Sequence, residues 1–338
     1  MPLRLGHVRA LDGVRGIAIA LIVVFHLGWI HAGFVGVDVF FVLSGFLITT
    51  LLLEERASGR LSLRRFYARR ARRLLPAAFA LVVVLGLLAA MAGVLSTWAP
   101  YLAASVFYSA NLYQVFWHQL PGPLLQLWSL AQEEQFYFVW PLVLVWWLRR
   151  PRSTRTAVLT LLVLAAAVMA WRAFLLLHVG ETEHASLSPD TRSDGLLVGC
   201  ALALARARGW RLPASGIIGP AALAATVAGA IVLHSTNPVE ASLLIPFAVA
   251  SSAYMISAAL EERSLLARLL RSAPLASLGV ISYSIYVWHL AVFMLTSDQV
   301  LKLVLAIAAG AVSYRFIEQP FRRGRVREEM PVAVPLEA

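Results

Sequence analysis

Arg15 and His26 stand eleven residues apart in DGVRGIAIALIVVFHLGWIHAGFVGVDVFFVLSGF, the apolar stretch 12–46. Eleven residues at about 100° each make three turns plus roughly 20°, so both side chains share one helix face, about 16 Å apart along the axis. Asp12 lies near that face. A turn of the chain around 31–33 would bring Asp38 to the depth of His26. There its carboxylate is expected to hold the ring through one nitrogen while the other faces a substrate, the arrangement of a general base. The alternative is a packing histidine with helix-capping aspartates. Within a bilayer the functional reading outweighs it, because an ionisable side chain at a helix centre costs several kcal/mol.

Other polar residues recur at helical spacing. QLWSLAQEEQFYFVWP (126–141) puts Ser129, Glu133 and Tyr137 on one face at i, i+4 and i+8. Glu133 facing inward above Tyr137 would bind a hydroxylated acceptor or position the His26 pair, while Glu134 reads as interfacial. RRFYARRARRLLP (64–76) concentrates six arginines in an expected loop. Arg69, Arg72 and Arg73 share a helical face there, and their guanidinium forks suit a polyphosphate ligand. Such a run equally reads as a topology determinant touching lipid headgroups. In TRSDGLLVGCALA (191–203), Asp194 is a helix cap or, with Arg192, part of an acceptor site. ISYSIYVWHL (281–290) sets Ser282, Tyr286 and His289 along one stripe, and SYRFIEQPFRR (313–323) carries Glu318; interfacial aromatic anchoring alone would explain both segments. The eight histidines show neither His-Glu-x-x-His nor a pair at metal-ligand spacing, so no metal site is expected. A Walker glycine loop and Gly-x-Ser-x-Gly are also absent.

The elements that must position these residues are membrane helices. With 60% of 338 residues hydrophobic, 14% charged and a mean hydropathy of +0.75, an ordinary soluble domain is excluded. Apolar segments lie near 14–31, 34–53, 74–95, 124–148, 156–178, 195–207, 215–234, 240–260, 279–297 and 300–319. They predict an all-α transmembrane bundle of about ten spans, with 98–118 as a re-entrant or interfacial helix. All but four of the 29 Lys and Arg (Arg172, Arg192, Lys302 and Arg315) then fall in the N-terminus, the even-numbered loops or the C-terminus. Both termini are therefore expected in the cytoplasm. The same asymmetry accounts for the formal charge of +11 without nucleic-acid binding, and makes the lipid bilayer of the cell membrane the partner. Cys200 is the sole cysteine, which excludes an internal disulfide. The first apolar run lacks a small-x-small cleavage site and is expected to be retained. Residues 1–327 read as one membrane domain and 328–338 as a disordered tail.

Together these motifs resemble the acyltransferase-3 family of integral membrane acyltransferases, typified by bacterial O-acetyltransferases of surface polysaccharides. Arg15 and His26 match its arginine, ten residues, histidine pattern, and GFVGVDVFFVLSGF (33–46) its second-span motif. Arg69 and Arg72 fit its arginine, two residues, arginine signature, and WSLAQEEQFY (128–137) its Trp-Ser-Leu element. SYSIYVWH and IEQP are similar to its closing motifs. Ala131-Gln132 stands where relatives often carry Ser-Val, which leaves Glu133 in place. The resemblance spans nearly the whole chain. It implies a cytoplasmic acyl-CoA co-substrate, most often acetyl-CoA, whose acyl group passes to a hydroxyl of a glycan or glycolipid, commonly outside. On that reading Arg69 and Arg72, with Arg15 and Arg73, hold the donor's phosphates. A neutral His26 removes the acceptor's proton and Asp38 fixes its tautomer. A small lipophilic metabolite, such as a macrolide sugar, is the alternative acceptor. The rival of another class is a transporter or flippase using Arg15, His26 and Glu133 as a relay, for which inverted repeats would be expected and none is visible. Many relatives carry an extracytoplasmic esterase-like domain, so either an extracytoplasmic partner protein completes the transfer or the acceptor comes directly to the membrane face.

Overall fold

The computed structural model describes residues 6–117, 120–150, 153–213, 216–234, 236–261 and 264–323; the expected tail at 328–338 lies outside them. Among the described residues every regular element is a helix. The first half runs α1 (Arg9–His26), α2 (Val35–Ala57), α3 (Leu63–Met91), α4 (Leu95–Val106), α5 (Ala110–Trp117), α6 (Leu127–Leu148) and α7 (Thr154–Phe174), which a π-helical turn (Leu175–Val179) prolongs. Two short helices, α8 (Thr182–Leu187) and α9 (Pro189–Arg192), lead to α10 (Asp194–Ala207). The second half comprises α11 (Ile218–Val232), α12 (Pro238–Ala259), α13 (Leu265–Leu270), α14 (Ala273–Val280), α15 (Ser282–Phe293), α16 (Gln299–Ser313) and α17 (Gln319–Arg323), the last two joined by a π-helical turn (Tyr314–Glu318).

Side-chain caps start several of these helices. Ser62 accepts from the Arg65 amide, Ser153 from Thr156, Asn237 from Val239 and Glu240, and Asp298 from Leu301, each satisfying orphan donors of a first turn. The Ser62 cap shows that the arginine run is not a loop. Arg64 to Arg73 form the opening turns of α3, which fixes the faces on which they project.

A helix occupies each of the ten apolar segments. Five are long and apolar enough to cross a bilayer: α2, α3, α7 with its π turn, α12, and α16 through Arg322. A sixth span results if α14 and α15, bent by 72° at their junction, count as one. The molecule is thus an all-helical multi-pass chain with five to six apolar spans. The segment 279–297, read as one helix from hydropathy, is broken at Ile281, and 98–118 holds the short α4 and α5. These meet at Tyr108, whose φ of 51° is left-handed.

At the centre lies α2, with 78% of its most apolar window buried against 28% in α3 and 17% in α16, so α3 and α16 turn most of their surface to lipid. Lipid tails are as apolar as the core, so close packing rather than water exclusion must hold the centre together. Glycines permit it. A Cβ on Gly199 of α10 would strike the Val42 carbonyl of α2, and one on Gly45 would strike the Leu196 carbonyl. Backbone therefore meets backbone along this seam, which sets the register of α2 against α10. On its other flank α2 is tied to α6 by the Trp140 Nε1 donating to Thr49 Oγ1 (2.8 Å).

Candidate active site

A cavity of about 120 Å³ opens where α1, α2, α3, α6 and α15 converge. Its wall is basic on one side. Arg15 projects from α1, and Arg70 and Arg73 from one face of α3. Arg15 is held by Asp12 (Nη1 to Oδ1, 2.9 Å). Arg70 donates to Glu134 Oε1 (2.9 Å), and its guanidinium lies 3.4 Å from the centre of the Tyr137 ring. The buried Nε of Arg73 has no hydrogen-bond partner, although it lies in a wall shared with two other cations. An unpaired buried donor of this kind is costly unless a ligand completes it.

Beside the arginines stands a row of hydroxyls around one carboxylate. Ser129, Glu133 and Tyr137 all line the cavity from α6, as their spacing predicts. Ser44 of α2 donates to Glu133 Oε1 (2.8 Å). Tyr286 of α15 reaches the Gln126 carbonyl (2.9 Å) and shares a hydrogen bond with the Ser129 hydroxyl (2.5 Å), which also reaches that carbonyl (3.3 Å). Tyr283 donates to the Leu74 carbonyl (2.6 Å), anchoring α15 to α3.

His26 ends α1 and is exposed, three turns from Arg15 and outside the cavity wall. Its Nδ1–H donates to the Ile22 carbonyl (2.9 Å), which leaves Nε2 as the lone-pair nitrogen. The neighbour of the ring is His289 of α15, fully buried, with ring centres 5.0 Å apart and its Nε2 3.4 Å from His26 Nδ1. His289 in turn donates from Nδ1 to the Tyr286 carbonyl (2.7 Å). A continuous contact therefore runs from the cavity through Tyr286 and His289 to His26.

The expected pairing of Asp38 with His26 is not formed. Asp38 lies in the first turn of α2, fully buried, and forms an ion pair with Arg192 at 2.9 Å. A buried carboxylate requires a compensating cation, and the α2–α10 seam brings Arg192 rather than His26 within reach. The substrate-binding reading of Arg192 and Asp194 changes for the same reason. Asp194 takes a two-pronged contact from Arg172 of α7 (Nη1 to Oδ1, 3.0 Å; Nη2 to Oδ2, 2.9 Å), and Arg172 also donates to the Thr191 carbonyl (2.7 Å). Asp194 is not the cap either, since Ser193 holds that position. Two arginines and two aspartates thus neutralise one another out of solvent, fastening α2 to α9 and α7 to α10. Arg172→Met would strand Asp194 as a buried charge, and a loss of about 3–5 kcal/mol in unfolding free energy is expected. Arg172→Met with Asp194→Leu should recover most of that loss, as read by thermal unfolding in detergent.

Of the arginines singled out by spacing, Arg73 and Arg15 reach the cavity, whereas Arg69 pairs with Glu55 of α2 and Arg72 is exposed. Arg70 and Ser44 emerge from the structure alone, whereas His289 already stands on the sequence stripe with Ser282 and Tyr286. The phase of the buried face adds Arg70 to Arg73, because Phe66, Arg70, Arg73 and Ala77 recur at i, i+4, i+7 and i+11, and the first and last are buried. The face formed by Arg69, Arg72 and Arg73 overlaps this one only at Arg73.

Relatives share most of this chain. YrhL of Bacillus subtilis is 35% identical over 94% of the chain and 55% of its own length. The peptidoglycan O-acetyltransferase OatA of Listeria monocytogenes is 31% identical over 94% of the chain and 56% of its own length. The O-acetyltransferase OatA of Staphylococcus aureus is 30% identical, covering 94% and 57%. The chain therefore spans about half the length of these relatives. No solved structure matches it. The acyltransferase-domain family matches from residue 8 to residue 314, across the helices that build the cavity, the buried charge cluster and the histidine pair, and the chain belongs to that family.

Proposed function

We propose that the chain is a membrane O-acetyltransferase that moves an acetyl group from acetyl-CoA to a hydroxyl of an envelope glycan or glycolipid. The observation that carries this reading is the basic cavity wall with its unpartnered Arg73 Nε, in one cavity with a row of hydroxyls that leads toward a histidine. The donor's phosphates sit against Arg15, Arg70 and Arg73, while its thioester arm extends past Ser129 and Tyr286 toward His26. The roughly 16 Å between Arg15 and His26 along α1 separates the charged anchor from the reacting carbon.

At that carbon, the acceptor's O–H proton passes to His26 Nε2 as its oxygen bonds the thioester carbonyl. The C–S bond then breaks, and the CoA thiolate takes the proton back. The Ile22 carbonyl supports this role by keeping the Nδ1–H tautomer, with His289 packed beside the ring. Glu133 and Tyr137 position the donor arm or acceptor from the cavity wall. The ten helical segments are read as about ten spans with both termini in the cytoplasm, which puts the arginines on the donor's side. The peptidoglycan named for the Listeria relative makes a cell-wall glycan the leading acceptor class.

The test is acetyl-CoA consumption by purified protein in lipid, following free thiol against cell-wall glycan and glycolipid extracts. Release that depends on an acceptor is expected. Folded protein that neither binds acetyl-CoA nor releases thiol would sink the reading.

A further inference from the structure

Flanking the cavity, on the neighbouring face of α6, an apolar crevice of about 280 Å³ separates α6 from α7 and is floored by Leu197 and Leu204 of α10. It follows α6 from Phe136 to Trp147. Eleven residues at 1.5 Å give about 16 Å, roughly half of the ~30 Å hydrocarbon core and thus the depth of one leaflet. Its walls are alkyl and aromatic, with Thr160 the one hydroxyl among the described lining residues. Water finds no partners in such a space, and an empty space forfeits dispersion contacts along every wall.

One end of the crevice is basic. Beyond Trp147, α6 ends in Arg149 and Arg150, both exposed, and the Arg150 guanidinium lies 4.2 Å from the ring of Trp146, itself a wall residue. Arg208 comes to the same corner, donating from Nε to Thr154 Oγ1 at the start of α7 (3.0 Å). A one-leaflet apolar slot that terminates in exposed guanidiniums complements, in shape and charge, a phospholipid with a negative headgroup. We propose that the crevice binds one chain of an anionic glycerophospholipid whose phosphate rests on the Arg149–Arg150 corner.

The site also backs the cavity. Phe136 and Trp140 stack with ring centres 5.8 Å apart, face the crevice, and share a helix with Glu133 and Tyr137. Trp140 meanwhile holds Thr49 of α2. A chain wedged behind these rings stiffens the wall that carries the carboxylate.

Trp146 and Trp147 supply the readout. The full chain is placed in phosphatidylcholine nanodiscs carrying a small fixed fraction of brominated-chain phosphatidylglycerol or, in parallel, brominated phosphatidylcholine. The portion of tryptophan quenching that disappears in Trp146→Phe/Trp147→Phe is compared between the two. Quenching by the anionic lipid is expected to reach half-maximum at a severalfold lower fraction, since each juxtamembrane arginine favours anionic lipid by about fivefold. Arg149→Gln/Arg150→Gln should abolish that difference. Filling the slot with Ala157→Leu/Thr160→Leu should abolish it too, and if that variant does not fold, the exposed arginine pair decides alone. Equal quenching by both lipids in the unmodified chain would identify ordinary boundary lipid and overturn the proposal, as would a preference that survives the arginine changes. The measurement needs no turnover, so its outcome is independent of the transfer reaction.

Discussion

His26→Ala is expected to lower acetyl transfer by about 10²–10⁴-fold while leaving acetyl-CoA affinity unchanged. The asymmetry follows from position. His26 ends α1 three turns beyond Arg15 and takes no part in the cavity wall, so its loss removes proton transfer and no phosphate contact. His289→Phe should give a smaller loss, confined to turnover, because that ring packs against His26 from a buried site. Asp38→Asn should act differently from either. By weakening the ion pair to Arg192 it is expected to lower thermal stability together with activity. The measurements are steady-state turnover and acetyl-CoA binding on the same preparations. Near-normal turnover in His26→Ala would remove the base role. Lost donor binding in that variant would instead mean that the histidine contacts the donor.

Arg73→Met is expected to weaken acetyl-CoA binding by about 10–100-fold, the equivalent of one charge-assisted hydrogen bond of roughly 1.5–3 kcal/mol. The effect should shrink at high salt only partly, because Arg73 lines an enclosed wall rather than open surface. Arg72→Met is the internal comparison. That residue is exposed on another side of α3, and its replacement should change affinity less than twofold. Titration of both variants by calorimetry separates the two registers of α3. If Arg72→Met weakened binding as much as Arg73→Met, the face of α3 turned to the donor would be the one suggested by residue spacing, and the cavity would not be the phosphate site.

What could be read in the sequence was whatever repeats at short range. The positions of the helices follow from runs of apolar residues, and Ser129, Glu133 and Tyr137 share a wall because i, i+4 and i+8 must do so on any helix. The partner of Asp38 was out of reach, because Arg192 lies 154 positions away and only the glycine seam between α2 and α10 decides that they meet. His289 is legible on its stripe with Ser282 and Tyr286, but its contact with His26, 263 positions away, is not. The arginines were visible as a cluster, yet without the helical phase of α3 the spacing favoured Arg69 and Arg72 over Arg70.

The 72° break at Ile281 gives the cavity something beyond side chains. Because α15 starts afresh there, Ser282 and Tyr283, its first two residues, stand in the cavity wall with first-turn amides that the bend turns out of line with the carbonyls ending α14. Aligned peptide dipoles concentrate about half a positive charge at such an end. The main chain therefore adds to the field of Arg15, Arg70 and Arg73 a contribution that alanine scanning cannot delete. Its size is set by the bend, because a straight junction would cancel the positive end of α15 against the negative end of α14.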